Sequence, residues 1–222
     1  MEKKKLIIIG CGSRGEGYSR KGYEQGRFDV VGIAEPIENR RTLVQKRHQI
    51  PDSMVFESWE PLLEMPKMAD AAIIATMDRD HLAPTLAAIE KGYDILLEKP
   101  VSGVKDQYTE LRDLAKEKNA LLIVCHVLRY SNYYSKTKKI IESGKLGDIV
   151  SINHTENVGY FHFAHSFVRG NWRDEFTSTP SILAKCCHDL DLIAWFMDCE
   201  CASVSSVGGI RYFRRECAPD GA

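Results

Sequence analysis

The sequence carries no excess of charge of either sign: thirty Lys and Arg stand against thirty-one Asp and Glu in 222 residues. It lacks the broad positive field that draws nucleic acid or an anionic membrane, so neither is expected as a partner. Long apolar runs are missing as well. The run after the basic opening MEKKK has four residues before Gly10, far too short for a signal-peptide core or a membrane span. Disulfide-framework spacing is absent from the seven cysteines, an odd number, and several sit inside apolar runs where a reduced thiol packs as a small hydrophobe. A reducing, cytoplasmic setting follows. Cys199, Cys201 and Cys217 lack the paired CxxC spacing of a zinc knuckle, and no metal site is expected. There is no internal repeat and no low-complexity segment.

What is present is a core. With 44% hydrophobic residues the chain can form one large domain or two small ones. Through the first half, apolar β-branched runs (KLIIIG, DVVGIAE, DAAIIAT, YDILLEK, ALLIVCHV) alternate with helical patterns. Those patterns are NRRTLVQKRHQ, stopped by Pro51, HLAPTLAAIEKG, ended by Gly92, and YTELRDLAKEKN, with Leu111, Leu114 and Ala115 at helical spacing. Strands that are apolar throughout suit a parallel sheet covered on both faces. The βαβαβ order predicts an α/β fold, a doubly wound Rossmann-type parallel sheet over residues 1–125.

The texture changes over residues 126–222. YYSKTKKIIESGKLG reads as an amphipathic helix, DIVSINHTENV as a strand with one greasy face, and SILAKCCHDLDLIAWFM as a helix. ASVSSVGGIRYF reads as a final strand. Between them lies an aromatic and basic loop, GYFHFAHSFVRGNWRDEFTSTP. One or two strands and two helices do not close a second sheet, and the turn-like terminus RRECAPDGA predicts that the chain is a fragment, or that strands completing this sheet follow in the native protein.

The first strand runs into three glycines in GCGSRG. Gly10 allows a tight exit from the strand, Gly12 lets the backbone approach phosphates without a Cβ, and Gly15 lets the helix pack on the sheet. A pyrophosphate there meets free N–H groups and the positive end of the helix dipole. Cys11, Ser13 and Arg14 complete the loop. Glu35 ends the second strand, twenty residues past Gly15, where a dinucleotide fold needs an acceptor for the adenosine ribose hydroxyls. It favours NAD, while Arg40 and Arg41 just downstream leave NADP open. Ligands of open parallel sheets collect beyond the carboxyl ends of the strands, which points to Thr76 and His81 in ATMDRDH and to Glu98 and Lys99 in LLEKP. Lys99, held by Pro100 at the mouth of that crevice, suits bridging a substrate hydroxyl. On the later helix Lys185, His188 and Asp191 recur every three residues along one side, with Leu190, Ile193, Ala194 and Phe196 expected to pack inward. His188, flanked by acids, suits a general base.

In GCGSRG, AEP, EKP at Glu98 to Pro100, and CHDLD, the chain resembles the Gfo/Idh/MocA oxidoreductases over essentially its whole length, EKP being the specific part. The resemblance implies an N-terminal Rossmann domain and a C-terminal α/β domain with a mostly antiparallel open sheet, commonly used for homo-oligomer contacts. It implies that Lys99 and His188 face the nicotinamide and the substrate carbon of a sugar, polyol or related small molecule. Many members carry an aspartate four positions before the histidine. Here that position is Ala184, followed by Lys185, which points to a polar role for this lysine and to a carboxylated substrate. Arg129, Tyr160, Trp172 and Lys185 are the expected substrate contacts, with His162, His165 and Arg169 on the same loop as Tyr160. Two rival functions stand beside a dehydrogenase: an NAD-dependent glycosidase working by transient oxidation and elimination, and a non-catalytic dinucleotide sensor.

Overall fold

The structure, a computed structural model, describes residues 3–218, so the last four residues of the turn-like terminus lie outside the described residues. It divides into two compact units, one ending at His126 and one beginning at Val127. The first holds strands β1 (Lys4–Ile9), β2 (Phe28–Ala34), β3 (Val55–Phe56), β4 (Ala71–Ile74), β5 (Asp94–Leu97) and β6 (Leu122–Val124). They form one parallel sheet in the order β3-β2-β1-β4-β5-β6. Helices α1 (Ser13–Glu24), α2 (Glu38–His48), α3 (Trp59–Glu64), α4 (Leu82–Glu90) and α5 (Lys105–Glu117) connect them. The chain winds outward from β1 to β3, then recrosses β1 to continue with β4. The strand order thus reverses between β1 and β4, where an open sheet leaves a crevice at its carboxyl edge.

The apolar strands bury both faces, as their uniform composition predicted. Side chains alternate along a strand. Ile7, Ile9, Ala72, Ile74, Ile95 and Leu97 therefore pack with residues of α3, α4 and α5, including Leu62, Ile89 and Leu111. Ile8, Ile33 and Ile73 point the other way and pack with Val44 of α2. Each fully buried Ile, Leu or Val among them stabilises the fold by about 1.5–3 kcal/mol. Sequence periodicity missed β3 and α3, whose two and six residues are too short to establish a period.

The second unit contains a helical turn at Val127–Tyr130, then α6 (Asn132–Glu142), α7 (Tyr160–Phe163), α8 (Ser181–Ala184) and α9 (Cys187–Met197). Ser131 caps α6 by accepting the Tyr134 N–H. Lys138 of α6 donates to the Trp195 carbonyl at 2.7 Å, and Tyr134 lies against Phe196. Four expectations need correction. The helix expected from Ser181 to Met197 is interrupted at Lys185 and Cys186. Its inward face is His188, Asp189 and Leu192, whereas Leu190 is 61% exposed and Ala194 is also outward. The stretches DIVSINHTENV and ASVSSVGGIRYF carry no strand ladder among the described residues, and Val150 and Val207 stand exposed. A strand needs a neighbour to take its N–H and C=O groups, and alternation in sequence does not supply one. The aromatic loop is also partly helical, in α7 and the turn Ala164–Val168 that extends it.

Candidate active site

The glycine loop joins β1 to α1, and its three glycines answer to different demands. Gly10 has φ +91°, and a Cβ on it would run into the Ala75 carbonyl. A Cβ on Gly15 would run into the Gly10 carbonyl. The protein itself therefore requires both. At Gly12 the nearest atom to such a Cβ is Arg40 Nη1, 3.9 Å away, so the fold places no demand there. Gly12 is also the N-cap of α1, with no side-chain cap, which leaves the first helical N–H groups and the dipole for a partner outside the chain. An open backbone over an uncapped 12-residue helix fits a dinucleotide pyrophosphate.

Glu35, 3% exposed at the end of β2, closes the loop from the side. Its carboxylate accepts the Cys11 N–H at 2.7 Å and the Ile37 N–H at 3.0 Å. The Cys11 amide is thus engaged by Glu35. Burial, with Glu35 adding to it, pushes the Cys11 thiol up to about 12. Arg41 donates to the Glu35 and Pro36 carbonyls and pairs with Glu57, so it is committed to the fold. Arg40 is exposed and leans over Gly12.

Across the switch point, the strap after β5 is built around Glu98 and His81. Glu98 is 5% exposed, and its carboxylate accepts the Tyr18 hydroxyl and, at 3.0 Å, the Lys99 N–H. Arg14 Nε lies 4.0 Å from the same carboxylate. Burial, then the bond to Glu98, raises the Tyr18 phenol well above its ordinary range, and burial beside Glu98 pushes the Cys125 thiol up to about 12. His81 sits at the N-cap of α4 but makes no side-chain cap bond. Its Nδ1 lies 2.8 Å from the Pro100 carbonyl, which can only accept, so Nδ1 carries the proton. With 1% exposure His81 holds the strap behind Lys99. Thr76 donates to the Asp80 carbonyl and shapes the turn after β4. Ser13 and Arg14 are exposed at the start of α1, and Lys99 is half-buried directly before the cis bond to Pro100.

In the second unit the histidine helix is tied down on both sides of His188. Before it, Lys185 pairs with Glu156 at 2.9 Å; after it, Asp189 pairs with His154 at 2.7 Å. Arg129 grips Asp191 with two bonds, at 2.7 and 2.6 Å, and lies over the Trp195 ring. The charges of Arg129 and Lys185 are thus matched by carboxylates of this chain. His188 is 6% exposed on α9. Tyr160, 79% exposed, opens α7; Phe161 and His165 stack along it, and Arg169 Nε donates to His165 Nδ1 at 3.4 Å. Trp172 packs obliquely on Phe167.

Sequence reasoning missed Tyr18, His154 and Glu156. Tyr18 lies four residues after Arg14, one helical turn on, and that spacing was the available signal. His154 and Glu156 bond to residues about thirty positions away, and no local pattern announces them.

Residues 4–126 match the model of an oxidoreductase family with an NAD-binding Rossmann fold, and residues 138–220 match that family's C-terminal alpha/beta domain. The chain is 29% identical over 192 residues to the scyllo-inositol 2-dehydrogenase (NADP(+)) IolW of Bacillus subtilis, covering 85% of this chain and 52% of that protein. It is 23% identical over 202 residues to a 2,7-anhydro-N-acetylneuraminate hydratase of Mediterraneibacter gnavus, covering 91% and 51%. The fold is similar to that of scyllo-inositol dehydrogenase from Lactobacillus casei, solved with NAD(H) and scyllo-inositol. The TM-score is 0.75 at 20% identity, covering 89% of this chain and 57% of the other. The chain spans about half the length of the curated relatives it matches.

Proposed function

The chain belongs to the Gfo/Idh/MocA oxidoreductase family, and on that footing we propose that it serves hydride transfer between a nicotinamide dinucleotide and a hydroxyl-bearing carbon of a sugar or polyol. The observation that carries this reading is Gly12: nothing among the described residues requires a glycine there, while a pyrophosphate seated on the uncapped α1 does. Gly12, Ser13 and Arg14 hold the phosphates, and Glu35 receives the ribose hydroxyls. Arg40 is the cation placed to accept a 2′-phosphate, so NAD is the expected coenzyme and NADP a tolerated one. When bound, the nicotinamide supplies the hydride acceptor.

Lys99 steadies the substrate oxygen and His188 takes its proton, with positioning supplying much of the rate. His81 and Glu98 keep the Lys99 backbone in place. The Glu156 partner of Lys185 cancels its charge, so a neutral polyol or sugar fits better than a carboxylated one. We place the protein in the cytoplasm as a homo-oligomer built through its second unit, whose exposed apolar side chains suit such a contact. No helix among the described residues is long and apolar enough to cross a membrane.

The test is a panel of polyols, sugars and aryl glycosides with NAD and NADP, following nicotinamide absorbance and aglycone release separately in the full-length protein. Net absorbance change supports the dehydrogenase. Aglycone release without it supports the elimination chemistry, which the hydratase relative also keeps in view. Lys99→Ala and His188→Ala that turn over the identified substrate as fast as the parent would remove both residues from the site.

A further inference from the structure

Arg14 and Tyr18 lie one turn apart on α1 and reach the same distant group. The Tyr18 hydroxyl donates to Glu98 Oε1, and Arg14 Nε stands 4.0 Å from that oxygen. The other oxygen, Oε2, accepts the Lys99 N–H at 3.0 Å. One buried carboxylate therefore joins the helix that begins at the glycine loop to the backbone of the lysine. We propose that Tyr18 is a positioning residue for Lys99, holding Glu98 so that occupancy of the glycine loop is transmitted to the lysine. The proposal rests on the cofactor reading above.

The two donors are not equivalent. The Arg14 side chain is 57% exposed and only at the limit of an ion pair, so it is free to turn toward an anion on the loop. Tyr18 is half-buried and bonded directly. When Arg14 is drawn to a phosphate, Glu98 loses that positive charge and relies more on its two neutral donors, the Tyr18 hydroxyl and the Lys99 amide. A buried carboxylate with too few donors is costly, so without Tyr18 it has reason to turn away and carry the Lys99 amide with it. Burial and the Glu98 bond both keep the phenol protonated, and it stays a donor across the working pH range. A packing role alone would leave Phe as good as Tyr at this position.

The test uses the full-length protein with its lysines reductively methylated with ¹³C, the Lys99 resonance being assigned by its loss in Lys99→Arg. NAD⁺ is titrated into the parent and into Tyr18→Phe, with binding measured in parallel by calorimetry. The expected result is NAD⁺ binding within about threefold of the parent, together with a Lys99 shift on saturation cut to less than half. An unchanged Lys99 shift in Tyr18→Phe overturns the proposal, whatever the melting temperature does. If Tyr18→Phe does not fold, Glu98→Gln decides: a normal Lys99 response there overturns the proposal, and a lost one supports it. Failure of the parent to bind NAD⁺ would instead remove the cofactor reading, and this proposal with it.

Discussion

The carboxylate of Glu35 accepts the backbone N–H of Cys11 at 2.7 Å, fastening the end of the second strand to the glycine loop of the first. A residue expected only to face a ligand is thereby also part of the loop's own construction. Glu35→Ala should leave the buried Cys11 amide without its acceptor and cost about 1–3 kcal/mol, the penalty of one stranded buried donor. Urea unfolding measures the loss. A Glu35→Ala protein as stable as the parent would show that the bond is incidental.

The three glycines should separate by experiment. Gly10→Ala and Gly15→Ala force a Cβ into backbone and should fail to fold or melt many degrees lower. Gly12→Ala has open space and should keep the parent's melting temperature to within a few degrees. Its NAD affinity should nevertheless fall at least tenfold, or about 1.4 kcal/mol, when measured by calorimetry. Parental affinity would mean that no phosphate approaches that backbone.

Arg129 is expected to matter for the shape of the second unit. Its two-point bond to Asp191 positions α9 against the Val127–Tyr130 turn. Arg129→Ala should destabilise by about 1–3 kcal/mol, and Arg129→Lys should recover only part of that, because an ammonium cannot grip both oxygens in the same fork. Trp195, stacked under the guanidinium, reports the change by fluorescence. A lysine variant indistinguishable from the parent would deny the two-point grip.

Acid should weaken the first unit through His48. It is buried on α2 with Ser19 Oγ 3.1 Å from Nε2 and the Tyr23 ring edge-on at 4.8 Å. Burial, reinforced by Arg47 and opposed by Glu16, holds its pKa below the ordinary value. The unfolded chain therefore binds the proton first as pH falls. The contribution is fully present above about 6.5 and is lost as pH drops toward the folded-state value. His48→Gln should flatten the part of the stability profile just below pH 6.5; an unaltered profile there counts against the assignment.

The parallel sheet was legible because each of its longer strands is apolar in its own right, and GCGSRG announces its turn within six residues. The places of Glu35, Glu98 and Lys99 just past strand ends were legible for the same reason, because each follows an apolar run directly. In the second unit that logic stops. Lys185 and Arg129 looked like free cations because their partners, Glu156 and Asp191, lie 29 and 62 residues away in the chain. The two stretches that alternate like strands acquire no ladder here, because pairing depends on a neighbour that alternation does not name.

Sequence by itself determined the doubly wound unit and the glycine turn, since these follow from short-range steric and hydrophobic rules. Only the tertiary structure decided which charges are spent within the chain, which of three glycines the protein does not need for itself, and that Tyr18 meets Glu98. A hydrogen bond between residues eighty positions apart exists because two elements pack side by side, and no local pattern encodes that proximity.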